Sequence, residues 1–329
     1  MLTTCFFISV LLLSIANGAN DNFKGMATLW GSSTLDYRKA LFFANLATFL
    51  GGCLAIYLGA ELIETFSGKG IVGRDVLADP KFAMAFAFGA AFTVTLATFV
   101  KYPISTTHSI LGSLAGAAYA FSSQDANFEI LFDKGFIPLL LSPLIAVMLT
   151  FSLWRFGNAL LPRPVTSSLM EGGMQSFVPA GWLDRAHMLS GFSVCFARGV
   201  NDTPKIASIF LLGNSFELSS VSIFLMIATL MVFGGAFFAR DVAHVMSKEV
   251  TTMTSAQGFA GNIVTAALVI FASKFGLGVS TTHVSVGSLF GIGALNGEAK
   301  WGKITQIVMA WILTVPCGFI AAYVVAMFL

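Results

Sequence analysis

Along the 329-residue chain, apolar residues come in long runs parted by short stretches where charge, Gly and Pro gather. Ten runs stand out, over 3–30, 37–60, 82–100, 104–121, 136–154, 186–212, 219–239, 253–273, 280–296 and 304–328. A bilayer core of about 30 Å takes roughly 20 helical residues to cross, and the runs match that length. A spanning segment must satisfy its own backbone, and barrel-like alternation is absent, so the runs predict helices. The expected fold is an all-α polytopic membrane protein of about ten helical segments. The first run lacks a basic leader and has a near-copy in mid-chain, so it is expected to remain as a span rather than be cleaved.

Composition agrees. The chain is 56% hydrophobic and 10% charged, with a mean hydropathy of +0.84. That is too little charge to coat a soluble globule, which argues against a soluble enzyme. A net charge of +2 spread along the chain leaves no basic face for a nucleic acid. Cys5, Cys53, Cys195 and Cys317 sit inside apolar runs and make neither a disulfide framework nor a metal spacing.

Basic residues set an expected orientation. Arg38, Lys39, Arg155, Arg163, Arg185, Arg240, Lys248, Lys300 and Lys303 fall in alternate loops, against Lys69, Arg74, Lys81 and Lys134 in the others. The richer set is expected inside, which puts both termini on the extracytoplasmic side. Residues 155–185, with Pro162, Pro164 and Pro179, read as a cytoplasmic linker between a first repeat, 1–154, and a second, 186–329.

The chain matches itself at an offset near 180. Ala16-Asn17-Gly18-Ala19-Asn20-Asp21-Asn22-Phe23-Lys24 aligns with Ala197-Arg198-Gly199-Val200-Asn201-Asp202-Thr203-Pro204-Lys205. Ile104-Ser105-Thr106-Thr107-His108 then aligns with Val279-Ser280-Thr281-Thr282-His283. Each half holds five runs, an odd number, so the second half enters from the opposite side. That predicts two inverted-topology repeats, an architecture of secondary transporters whose site lies near the midplane between them.

On a helix, Asn17, Asn20, Asp21 and Lys24 share one face, and Arg198, Asn201, Asp202 and Lys205 repeat the spacing. Charge at membrane depth is costly, so it lines a pathway or pairs with itself. Asp21 with Lys24, and Asp202 with Lys205, are also spaced for plain i, i+3 pairs. Gly18 and Gly199 are expected to weaken the helix there, and Pro204 to free the carbonyl of Val200. Carboxylate, amide and freed carbonyl oxygens suit a hard cation such as sodium. The second motif reads as a helix start, with Ser105 or Ser280 at the N-cap. Such a start binds oxyanions through free amides, so two of them could clamp one tetrahedral anion. His108 and His283 are expected to pack or hydrogen-bond as neutral rings. Gly51-Gly52 and Gly234-Gly235 look like close helix contacts.

At these residues the chain resembles the inorganic phosphate transporter (PiT) family. Its halves each carry Gly-x-Asn-Asp, here Gly18-Ala19-Asn20-Asp21 and Gly199-Val200-Asn201-Asp202. A later Pro-x-Ser-x-Thr-His stands here as Pro103-Ile104-Ser105-Thr106-Thr107-His108 and, with Gly for Pro, Gly278-Val279-Ser280-Thr281-Thr282-His283. The resemblance implies symport of inorganic phosphate with sodium or protons through a cell membrane, no enzyme activity, no cofactor, and often a homodimer. It assigns anion binding to Ser105, Thr106, Thr107, Ser280, Thr281 and Thr282. Cation coupling, with any sodium, falls to Asn20, Asp21, Asn201 and Asp202. Lys24, Arg198 and Lys205 would balance charge. The chain departs from the family at Lys24 and Lys205, where Asn is frequent, at Gly278, and at Asn262, where many relatives have Glu; the lysines would replace part of the cation charge. The alternatives are a sulfate permease of the same fold and an anion channel. Segments 82–121 and 253–296 read as pairs of full spans or as re-entrant hairpins. A midplane site favours hairpins with the Ser/Thr motifs at their tips, and each arm is nevertheless long enough to span.

Overall fold

Each predicted run contains one long helix, and the polar residues at its edge show why it starts there. Asp36 accepts a hydrogen bond from the amide of Lys39, Asp79 from that of Lys81, and Ser219 from that of Ser222. Thr254 and Gln257 cap each other reciprocally. The structure, a computed structural model, describes residues 1–160, 180–213 and 217–329. Among them stand α1 (Leu2–Asp21), α2 (Tyr37–Leu58), α3 (Pro80–Phe99), α4 (Thr106–Ser122) and α5 (Ile137–Leu160). The second half supplies α6 (Ala180–Leu212), α7 (Ser220–Phe238), α8 (Ser255–Lys274), α9 (Thr281–Asn296) and α10 (Trp301–Phe328). No strand occurs among the described residues.

Seven segments are long and apolar enough to cross a membrane: α1, α2, α3, the stretch Phe128–Phe156, α7, α8 and α10. Helices α4 and α9 are shorter, at 17 and 16 residues, and the 33-residue α6 carries Asp184, Arg185, Arg198, Asp202 and Lys205.

Three bounds differ from the predicted runs. The first run is broken: α1 ends at Asp21, residues 22–26 form turns, and a short helix follows at Ala27–Gly31. Helix α5 continues to Leu160 and α6 begins at Ala180, so both enter the stretch read as a linker. The rest of that stretch, 161–179 with Pro162, Arg163, Pro164 and Pro179, lies outside the described residues.

The outward surface is apolar and the interior is built from small residues. In α2, Phe42, Leu46, Leu50 and Leu54 face out at every fourth position, while Ala40, Ala44, Ala47, Gly51, Gly52 and Ala55 are buried. A soluble helix shows the reverse polarity; a helix in lipid gains nothing by hiding Leu and packs through small residues instead. Gly18 and Gly199 follow this rule rather than weakening their helices. A Cβ on Gly18 would run into the backbone of Met231 on α7, and one on Gly199 into Thr48 and Gly52 on α2. Helix α6 also continues unbroken through Pro204, because packing on several sides holds its regular path against the loss of one backbone bond.

Exchange α1–α5 with α6–α10 and the packing pattern is unchanged. Helix α1 lies against α3 and α7, and α6 against α8 and α2. Helix α4 packs on α10, and α9 on α5. Each of α5 and α10 carries one proline inside it, Pro143 and Pro316. The two halves therefore enclose the ends of α1, α4 and α9 and the middle of α6.

Candidate functional site

The two Ser/Thr motifs begin their helices as the sequence suggests. Ser105 Oγ accepts from the amide of His108 at 3.1 Å, and Ser280 Oγ from that of His283 at 3.3 Å. Both helix starts are buried and meet each other. The rings of His108 and His283 lie edge to face, 4.5 Å between centroids, and His283 Nδ1 sits 3.1 Å from the carbonyl of Leu139.

Gly278 stands before the second motif where the first has Pro103, and its surroundings explain why. Its amide donates to the carbonyl of Lys134 at 3.1 Å, and a Cβ would press on Gly135. A proline offers no N–H, and its ring has no space here.

Asn20 ties α1 to α3 and to the stretch before α4, and Asn201 ties α6 to α8. Asn20 Oδ1 accepts from the amide of Ile104 at 3.1 Å, while its Nδ2 donates to Thr98 Oγ1 and to the carbonyl of Tyr102. Asn201 Oδ1 accepts from Ser273 Oγ at 3.1 Å, and its Nδ2 donates to Asp202 Oδ1 at 3.0 Å. Thr98 and Ser273 are themselves a repeat-related pair.

The charged residues converge on the two helix starts. Lys24 donates to Asp21, to the carbonyl of Ile104 and to Thr282 Oγ1. Lys205 Nζ donates to Thr107 Oγ1 at 2.8 Å and to the carbonyl of Val279 at 2.7 Å, with Asp202 Oδ1 3.7 Å away. The same threonines close the halves together: Thr107 Oγ1 donates to Val279 O at 3.1 Å, and Thr282 Oγ1 to Ile104 O at 2.6 Å. So the expected i, i+3 pairs form, but they also reach across to the opposite half.

Asn17 and Arg198 occupy matching positions and break the symmetry. Asn17 Nδ2 lies 3.3 Å from a carboxylate oxygen of Asp21, 3.3 Å from one of Asp202, and 2.9 Å from Thr106 Oγ1. Thr106 in turn donates to Asp21 at 3.2 Å. Arg198 donates to the side chains of Asn17 and Asn22. Its Nε faces Asp202 Oδ2 at 3.4 Å without a formed hydrogen bond. Every one of these charged side chains is buried. Three formal cations against two carboxylates leave one positive charge in excess.

All thirteen expected site residues are buried and nine share one network; Ser105 and Ser280 bond amides of their own helices, Asn20 connects through Ile104, and Thr281 joins through a 3.5 Å contact with Asn201. The sequence reading left out Asn22, whose cue was an amide side chain one place beyond the motif in an apolar run. It also left out a second buried polar group beside the break after α1. There Asn262 Nδ2 donates to Thr28 Oγ1 at 2.9 Å and to Gly25 O at 3.3 Å, and His187 Nε2 meets Thr28 Oγ1 at 2.9 Å. Asn262 works there as a donor to a carbonyl, which a Glu carboxylate in its place could not be.

Residues 17–322 match the phosphate transporter family. The chain belongs to that family. Its members are transporters rather than enzymes, and the matched stretch takes in both Ser/Thr helix starts and both Asn-Asp motifs. The chain is 27% identical to a Bacillus subtilis (strain 168) protein named probable low-affinity inorganic phosphate transporter, over 99% of this chain and 98% of that one. It is 23% identical to inorganic phosphate transporter 2-1, chloroplastic, of Arabidopsis thaliana, over 92% of this chain and 68% of the relative. A solved structure titled the sodium-dependent phosphate transporter superposes with a TM-score of 0.84 at 22% identity, covering 99% of this chain and 98% of that one. That likeness shows the fold.

Proposed function

We propose that the chain imports inorganic phosphate across the cell (plasma) membrane by alternating access, as a symporter drawing on a sodium or proton gradient. One observation carries the reading: two helix starts from opposite halves meet in a buried core beside a charge cluster with one cation in excess. Helix starts present unbonded amides and partial positive charge, which suit a tetrahedral oxyanion. Arg198 adds a formal charge beside them, paired with Asp202. A monobasic phosphate neutralises the excess charge.

In this reading Ser105, Thr106, Thr107, Ser280, Thr281 and Thr282 form the anion clamp, and Asn20, Asp21, Asn201 and Asp202 handle the coupling cation. The exchange symmetry of the packing supports two inverted repeats of five segments, whose rocking exposes the core to each side in turn. The basic loops put both termini on the extracytoplasmic side. Family membership and the relatives' names support phosphate as the cargo.

Labelled-phosphate uptake by the purified protein in liposomes tests the reading, with sodium and pH gradients imposed separately. Saturable uptake that needs one of the gradients and resists excess sulfate is the expected result. Sulfate uptake without phosphate uptake sinks the proposal. A flux that follows the phosphate gradient alone and survives Asp21→Asn makes the protein a channel.

A further inference from the structure

We infer that Lys24 and Lys205 are tethered cations that fill the chain's two coupling-cation places, so that transport proceeds without sodium. This rests on the phosphate reading above and narrows it from a sodium or proton gradient to one that excludes sodium.

The first observation is the composition of the two ammonium cages. Lys24 is held by a carboxylate, Asp21, a backbone carbonyl, Ile104, and a threonine hydroxyl, Thr282. Lys205 is held by a carboxylate, Asp202, a backbone carbonyl, Val279, and a threonine hydroxyl, Thr107. In each cage the carboxylate and carbonyl come from the lysine's own half and the hydroxyl from the other. Such mixed oxygen sets hold hard cations, and carbonyls beside broken helices hold coupling ions in transporters. Here a charge on a side chain already fills both.

The second observation is donor saturation. An ammonium has three N–H donors, and each lysine faces three oxygens. Lys24 has no donor left for an anion, and Lys205 makes two hydrogen bonds and pairs with Asp202 at 3.7 Å, so neither serves as a phosphate ligand while caged. Arg198 turns its Nε toward Asp202 Oδ2 at 3.4 Å, as a counter-ion to that carboxylate.

Charge balance gives the third argument. With neutral residues at 24 and 205, Asp21, Asp202 and Arg198 would leave one negative charge in a buried core, which repels any anion until free cations enter. With the lysines present the excess is positive before anything binds. The requirement that free sodium would meet is met within the covalent chain, and a tethered charge cannot be carried across with the cargo.

Two measurements test the inference apart from the phosphate reading. In liposomes under one imposed pH gradient, wild-type phosphate uptake should agree within about twofold in sodium and in N-methylglucamine. Stimulation by sodium of about tenfold or more overturns the inference. Separately, sodium should give the purified wild type no rise in melting temperature over N-methylglucamine, whereas Lys24→Asn/Lys205→Asn should gain roughly 2 °C or more. A sodium-specific rise in the wild type, or none in a folded double variant, overturns it. If that variant does not fold, the wild-type melting comparison decides. Absence of phosphate uptake in both media overturns the phosphate reading alone, because the melting arm needs no phosphate.

Discussion

Lys205 donates to Thr107 across the two halves at 2.8 Å, and both side chains are buried. The bond and its repeat-related partner, Lys24 to Thr282, tie the Asn-Asp helix of each half to the Ser/Thr helix of the other. Movement of one half against the other must break or reshape both.

Thr107→Val and Thr282→Val should therefore behave alike. Each leaves a buried ammonium donor without its hydroxyl, at a cost of about 1–3 kcal/mol. We expect a lower melting temperature and a fall in phosphate uptake from each, with serine restoring much of both. Thr95→Val is the control, because Thr95 Oγ1 has no hydrogen-bond partner among the described residues. Equal effects at Thr95 and Thr107 would show that the cross-links are incidental.

Asp202→Asn removes the carboxylate from a buried ion pair and should cost about 3–5 kcal/mol of stability. Combining it with Lys205→Met removes the stranded ammonium as well, so most of the stability should return while uptake stays lost. Melting curves and uptake on the single and double variants separate the two roles. Recovery of uptake in the double variant would make the pair purely structural.

Gly18→Ala and Gly199→Ala place a methyl into the backbone of a crossing helix. Overpacking of this kind costs about 1–3 kcal/mol. Gly302→Ala, which meets nothing within 4 Å, should be neutral or gain up to about 1 kcal/mol in helix propensity. The melting temperatures of the three purified variants check the contrast.

Gly278→Pro makes the second motif match the first, which has Pro103, and should nevertheless harm the protein. It deletes the bond to Lys134 O and forces a ring against Gly135, for a loss of about 1–3 kcal/mol. A melting temperature at or above wild type would refute this account of the departure.

Much of the site was legible as a list of residues. The offset repeat named Asn20, Asp21, Lys24 and their counterparts, and the N-cap signals of Ser105 and Ser280 were local enough to read directly. What could not be read were the partners. The cation-coupling expectation for Asn20 gave no hint that it also bonds Ile104 and Tyr102, just before α4. Gly18 and Gly199 were expected to loosen helices and instead let two pairs of helices touch. Those roles depend on residues 78 to 213 positions away, and no local pattern encodes such pairings.

Hydropathy and the repeat by themselves determined an all-helical membrane chain, the places of its long helices and the charged positions at its centre. These follow from the local needs of the backbone in lipid and from the 3.6-residue period, which any stretch of sequence displays. Tertiary structure alone decided that α1 breaks after Asp21 while α6 runs on through Pro204, and that each lysine reaches the opposite half's threonine. Packing settles both: a helix break costs little where neighbouring groups take up the freed backbone bonds, and a buried ammonium goes wherever three oxygens converge.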